Sequence, residues 1–306
     1  MDINFELYKV FYHVAKNLSF SEASGRLFVS QSAVSQAVKT LEKKIGCQLF
    51  VRNTKLVKLT EEGELLFKHI EQAFNFIKAG ERSVNEVYLL KSGEVRIAAS
   101  DTICKYYLLP CFEIFNRQYP NIKIRVTNRT SPQCIQLLKN GSVDLAVANL
   151  PEKEPDKNLT VTKIKKIQDV FIAGKNFSNL KKRPLPLNEL GRYPLLMLEK
   201  NTTTRDFIDE FLEKKGVSLA PEIELESVDL LIEMAKIGLG ISFVARDYIE
   251  KELASGDVFI LNIKEKIPAR SLGIVTNNRI PLPITAQKFI DLLKPPGQVH
   301  AEALDA

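Results

Sequence analysis

The segment between Ser30 and Gly46 constrains this chain most, because it reads as a helix with two chemically distinct faces. At 100° per residue, Val34, Val38, Leu41 and Ile45 fall on one narrow arc. Ser32, Gln36, Lys39 and Lys43 fall on the opposite arc, with Ser35 to one side. Ser30 is placed to cap the start, and Gly46 to end the helix as a left-handed residue. A shorter helix precedes it, opened by Ser19 with Glu22 three residues on and running through Leu27. Before that, Leu7, Val10, Phe11, Val14 and Leu18 recur at helical spacing. A short helix, a turn at Phe28-Val29-Ser30 and a longer helix make helix-turn-helix grammar.

The exposed arc has the layout of a recognition helix. Gln31, Ser32, Ser35 and Gln36 offer hydrogen-bonding groups in the first turns, and Lys39 brings a cation suited to phosphate. Taken alone, that face reads equally as the solvated side of an ordinary helix. Its surroundings favour nucleic acid. Cys47–Arg52 and Val57–Thr60 are strand-like and flank Asn53-Thr54-Lys55, a two-stranded wing that offers Arg52 and Lys55 to a backbone or minor groove. Charge agrees: residues 1–60 hold nine basic and four acidic side chains, whereas residues 92–306 hold 30 and 27. Nearly all of the chain's net +6 therefore sits in its first fifth.

Thr60-Glu61-Glu62 opens a further helix, with acids in the first turn, predicted to run to about Lys91. Leu66, Ile70, Ala73, Ile77, Gly80, Val84 and Val87 follow the 4-3-4-3 spacing of a two-helix seam. Packing against its own domain is the alternative for so apolar a helix. From Gly93 onward strands and helices alternate, predicting α/β structure with parallel sheets and ligand crevices at strand carboxyl ends. A helix is expected near Lys105–Tyr119. Three segments place hydroxyls at helix starts: Ser100-Asp101-Thr102, Thr130-Ser131-Pro132 with Ser131 as cap and Pro132 as first helical residue, and Thr202-Thr203-Thr204-Arg205. Unpaired N–H groups and a positive dipole end make such starts suited to a small anion, although ordinary capping explains each one separately.

Other classes find little support. No apolar run approaches the ~18 residues of a membrane span, and no basic leader with an apolar core opens the chain. Cys47, Cys104, Cys111 and Cys134 lack metal or redox spacing and read as free thiols in a reducing cytoplasm, with a Cys104–Cys111 redox pair the lesser alternative. Three scattered histidines build neither a metal site nor a triad, and no GxSxG, P-loop or HExxH motif occurs. No cofactor is expected. An α/β enzyme carrying a DNA-binding head remains the rival reading, and it lacks a recognisable nucleophile or base after residue 92.

The segment Ser30-Gln31-Ser32-Ala33-Val34-Ser35-Gln36, with Leu41-Glu42, Ile45-Gly46, Leu49-Phe50, Arg52 and Leu59-Thr60-Glu61-Glu62-Gly63, resembles the signature of LysR-type transcriptional regulators. Gly141–Ala146 and Gly238–Ile241 extend the resemblance more loosely. It implies a mainly α N-terminal winged helix-turn-helix over 1–60, a linker helix over 61–91 that dimerises, and an α/β two-lobed effector domain like periplasmic binding proteins over 92–306. Lobe I would cover about 92–162 and 268–306, and lobe II about 163–267, with crossing strands near Thr162–Ile164 and Ile267–Arg270. It also implies double-stranded promoter DNA, a small anionic effector and further copies of the chain as partners, as a homodimer or homotetramer. DNA contacts would come from Ser30, Gln31, Ser32, Ser35, Gln36, Lys39, Arg52 and Lys55. Effector contacts would come from Ser100, Thr102, Thr130, Ser131, Asn149, Thr202, Thr203 and Thr204. Thr202–Arg205 is similar to the Ser-x-Thr-Arg of regulators that sense small anions, with Thr where Ser is commoner.

Overall fold

The computed structural model describes residues 3–53, 56–88, 93–150, 156–181 and 183–293, with backbone alone for Arg52, Asn53, Leu56, Ser83 and 85–88. The chain forms two compact units, 1–80 and 81–306.

In the first unit, α1 (Phe5–Asn17), α2 (Phe20–Leu27) and α3 (Gln31–Ile45) bury Phe11, Val14, Ala23, Val34, Val38 and Leu41 around one core. The Ser19 and Ser30 hydroxyls accept from the Glu22 and Ala33 N–H groups, and Gly46 closes α3 at φ +89°. Strands β1 (Phe50–Asn53) and β2 (Leu56–Leu59) pair antiparallel as the wing. The Glu42 carboxylate accepts from the Leu49 and Phe50 N–H groups (2.9 and 3.3 Å), tying the wing's base to α3. The Thr60 hydroxyl then accepts from Gly63 N–H at 3.0 Å and starts α4 (Glu61–Tyr88).

Gly63 lies over the wing: a Cβ there would stand 2.1 Å from the Leu49 carbonyl oxygen. The obstruction is the Leu49 backbone, its carbonyl carbon at 3.0 Å, with Leu59 Cδ2 at 3.1 Å beyond it, so little room is left to relax. Gly63→Ala is expected to cost about 1–3 kcal/mol, read as a lower melting temperature of the N-terminal unit; an unchanged melting temperature would show that the junction yields freely.

The two-helix seam expected along α4 divides. Leu66 and Ile70 turn inward onto the winged-helix core, so the alternative of own-domain packing holds for this half of the helix. Phe67 and Phe74 also turn inward, stacking on Tyr12 with ring centroids 6.1 and 4.6 Å apart. Ala73 is half-buried, whereas Ile77 and Val84 are 44% and 61% exposed. The Val87 side chain lies outside the described residues. The first turns of the apolar repeat thus meet the helices that precede them.

The larger unit holds two five-stranded sheets. The first orders β4 (Ile122–Asn128), β3 (Gly93–Ala99), β5 (Leu145–Leu150), β12 (Arg270–Asn277) and β6 (Leu159–Ile167). The second orders β11 (Val258–Ile260), β7 (Asp169–Gly174), β10 (Ile241–Ala245), β8 (Leu195–Leu198) and β9 (Ile223–Leu225). Helices α5 (Asp101–Ile103), α6 (Leu109–Gln118), α7 (Ser131–Lys139) and α11 (Ile284–Leu293) belong to the first lobe. Helices α8 (Thr203–Lys214), α9 (Val228–Lys236) and α10 (Glu250–Ser255) belong to the second.

The sheets are mixed, not parallel as expected. β12 runs antiparallel to β5 and β6, and β7 antiparallel to β10 and β11. Parallel neighbours need a crossover helix, whereas β6 passes into β7 through Gln168 alone and thereby changes sheet. Because β6 pairs with β12 along its whole length, the first crossing falls at Gln168, later than the sequence placed it.

The helix expected near Lys105–Tyr119 is also interrupted. Cys104–Leu108 forms a π-helical turn, closed by Leu109 N–H on the Cys104 carbonyl five residues back. Pro110 follows, without an N–H for the next α-helical rung. Such widened turns are frequent at functional sites.

Candidate functional site

On α3 the outward arc is formed as the angles require. Gln31, Ser32, Gln36 and Lys39 are exposed, Ser35 is half-buried, and Val34, Val38 and Leu41 are fully buried behind them. Ser30 is engaged locally: besides capping α3, its hydroxyl lies 2.9 Å from that of Ser32. Arg52 stands in β1 opposite Val57, but its side chain and all of Lys55 lie outside the described residues. The field around this unit is positive. The proton affinity of His13 is lowered by burial first, and then by Lys78, Arg26, Lys9 and Lys16.

Phe28 lies in the break Phe28-Val29-Ser30. It is 95% exposed at φ +55° in the turn before α3. Its position in the turn carried the one available hint.

In the larger unit a cavity of about 460 Å³ opens between the two lobes. All eight residues singled out for a ligand line it: Ser100, Thr102, Thr130, Ser131, Asn149, Thr202, Thr203 and Thr204. Their hydroxyls are not equally available. Ser100 accepts from Ile103 N–H at 3.3 Å. Thr202 accepts from Arg205 N–H (3.3 Å) and donates to the Glu199 carbonyl (3.0 Å). The Ser131 hydroxyl accepts from Asn149 N–H at 3.0 Å, fastening α7 to β5. The N-cap of α7 is Thr130, one residue earlier than expected, and its N–H donates to the Gln133 side chain at 3.3 Å.

A fourth helix start joins them. Ser227 caps α9 through Leu230 N–H at 3.3 Å and also lines the cavity. Ser100, Thr130, Thr202 and Ser227 therefore bring four helix N-caps to one space, three of them on helices of nine or more residues. The unpaired N–H groups and dipole ends there favour negative charge. Side-chain charge on the wall is balanced, Arg129 and Arg270 against Asp101 and Glu226.

Arg205, last of the Thr-Thr-Thr-Arg segment, turns away from the cavity. It is buried against Asp209, Glu224 (3.1 Å) and the Leu198 carbonyl (2.8 Å), so it holds α8 against β8 and β9.

Sequence reasoning missed the residues at the cavity's hinge side. Arg270 and Tyr248 line the cavity, and Arg270 is paired with buried Asp169. Burial pushes the Tyr248 phenol up to about 12. Its ring stacks on Tyr106 from the π-helical turn at 4.5 Å, while the Tyr106 hydroxyl and Lys105 ammonium both reach Asp229 of α9 at 2.8 Å. No local pattern announces these groups, because each partner lies on the other lobe. The Cys104 and Cys134 thiols are both pushed up to about 11, chiefly by burial, which opposes redox reactivity near neutral pH.

Two family models cover nearly the whole chain. Residues 5–64 match the bacterial regulatory helix-turn-helix of the lysR family, and residues 90–295 match the LysR substrate binding domain. The chain belongs to the LysR family of transcriptional regulators. This LysR-type protein is thus a DNA-binding transcriptional regulator with an effector-binding domain, and not an enzyme. A probable RuBisCO transcriptional regulator of Cyanidium caldarium is 30% identical over 264 residues, covering 85% of this chain and 83% of its own. Among solved structures, a full-length OxyR variant from Pseudomonas aeruginosa superposes with a TM-score of 0.70 at 19% identity, over 96% of this chain and 95% of that one. The Synechocystis CcmR regulatory domain in complex with 2-PG gives 0.60 at 24% identity, over 66% of this chain and 96% of that one. These structural likenesses establish the LysR fold. Among the described residues no helix is long and apolar enough to cross a membrane.

Proposed function

We propose that this LysR-type regulator reads promoter DNA in the cytoplasm through Gln31, Ser32, Ser35, Gln36 and Lys39, with Ser30 fixing the helix start and Arg52 and Lys55 on the wing. Its response is set by a small anionic metabolite held in the 460 Å³ cavity. One observation carries the effector reading: four helix N-caps open on a single space bounded by both lobes. CcmR, of the same fold, holds 2-PG in its regulatory domain, which makes 2-PG a first probe. Self-association would use the exposed side of α4, where Ile77 and Val84 lie seven residues apart, with Val87 the next residue of the repeat in sequence. Linkage sets the logic: the metabolite shifts regulatory states only by its differential affinity for them.

Footprinting of the full-length protein on the DNA beside its own gene tests this reading. With 2-PG, phosphate and small carboxylates added in turn, the protected region should change extent for at least one. A footprint that none of them alters removes the anionic effector from the account. Lys39→Ala should weaken binding to all sequences and flatten the slope of log K against log salt by about 1, the value for one phosphate contact. An unchanged slope takes Lys39 off the backbone.

A further inference from the structure

Arg270 opens β12 directly after the chain recrosses from the second lobe, and Asp169 opens β7 directly after the first crossing. Gln168 ties the crossings together, its side-chain amide donating to the Ile267 carbonyl at 3.2 Å. Arg270 turns Nε and Nη2 to the Asp169 carboxylate, Nη2 at 2.8 Å, which leaves Nη1 on the opposite edge of the guanidinium. Arg270 is 6% exposed, and Nη1 is buried without a hydrogen-bond partner among the described residues. An unmatched buried donor on a charged group is costly, and such an atom in a native fold calls for an explanation.

Tyr248 supplies a second donor. Its hydroxyl has no hydrogen-bond partner among the described residues, its ring is fixed by the Tyr106 stack, and both Tyr248 and Arg270 line the cavity. The two groups lie close enough that each shifts the other's proton affinity. The phenol stays protonated at neutral pH, so its proton is available to an acceptor.

We propose that Arg270 Nη1 and the Tyr248 hydroxyl form a two-donor anchor for an oxyanion group, carboxylate or phosphate, of the effector. This rests on the effector reading above and assigns its specificity-determining residues. An oxyanion has lone pairs for both donors, whereas an ammonium or an alkyl group satisfies neither. Asp169 already balances the Arg270 charge, so the anchor selects by placed donors and not by a long-range positive field. An anion there would also touch the place where both crossing segments meet.

The test is thermal unfolding of the full-length protein, titrated separately with inorganic phosphate, acetate, 2-PG and, as a neutral match to acetate, acetamide. Wild type should be stabilised saturably by at least one oxyanion and not by acetamide, and the preferred oxyanion tells phosphate from carboxylate. Tyr248→Phe keeps the ring stack and should keep the unliganded melting temperature, while binding falls about 10- to 100-fold, as expected for one hydrogen bond to a charged group. A double variant, Asp169→Leu with Arg270→Met, removes the anchor without leaving a lone buried charge and should lose the response. If both variants bind with wild-type affinity, the oxyanion sits elsewhere; the anchor then fails while the effector reading stands. If no oxyanion stabilises wild type, both fail.

Discussion

Asp169→Ala should destabilise the effector domain by about 3–5 kcal/mol, the usual cost of removing one partner from a buried ion pair. The magnitude follows from what remains. Arg270 cannot shed its proton near neutral pH, so a charged guanidinium, nearly excluded from solvent, would lose its only side-chain acceptor among the described residues. With a urea m-value of about 2–3 kcal/mol/M, the midpoint of the effector-domain transition should fall by about 1–2.5 M. Replacing both partners by apolar residues should recover most of that loss, since a buried pair exchanged for well-packed side chains is often neutral. A single variant within about 0.5 kcal/mol of wild type would mean that water reaches the hinge and the pair is effectively exposed.

The same pair marks where sequence reasoning stops. Caps and helix faces are local: Ser30 with Ala33, Ser19 with Glu22 and Thr60 with Gly63 each bond within three residues, and so were legible. The amphipathic division of α3 was legible for the same reason, its period matching the helix. Asp169 and Arg270 stand 101 residues apart, and nothing in either neighbourhood names the other. Antiparallel strands were missed because alternation of apolar residues fixes which face is buried but not the strand's direction. The α4 stripe was visible, yet a stripe does not say what covers it; Leu66 and Ile70 met their own core. The cavity lies between these cases. Each hydroxyl-bearing helix start could be read singly, but Ser227 joined the others only through topology, and Ser131 left them because its hydroxyl holds β5.

Asp144→Ala is the second large effect, and it explains a motif that was recognisable without a reason. Gly141-Ser142-Val143-Asp144-Leu145-Ala146 resembled the family's pattern, and the structure shows what Asp144 does there. Its carboxylate, 3% exposed, accepts from the Arg96 N–H at 2.8 Å, from Arg96 Nε and Nη2 at 3.1 and 2.7 Å, and from Arg82 Nη2 at 3.2 Å. One acid thus joins the turn before β5 to β3 and to the last turns of α4. Truncation would strand the Arg96 N–H and leave two guanidinium groups facing a void. Partial relief is built in, since Arg82 keeps Glu94 at 3.5 Å and Arg96 keeps the Gly141 carbonyl at 3.4 Å. The expected cost is therefore about 3 kcal/mol, at the low end for a broken buried pair. Asp144→Asn should lose less than Asp144→Ala, because its amide oxygen can still accept from the Arg96 N–H. Urea denaturation of the three proteins gives that ranking, and equal midpoints for Asn and Ala would show that charge, rather than the backbone bond, sustains the junction.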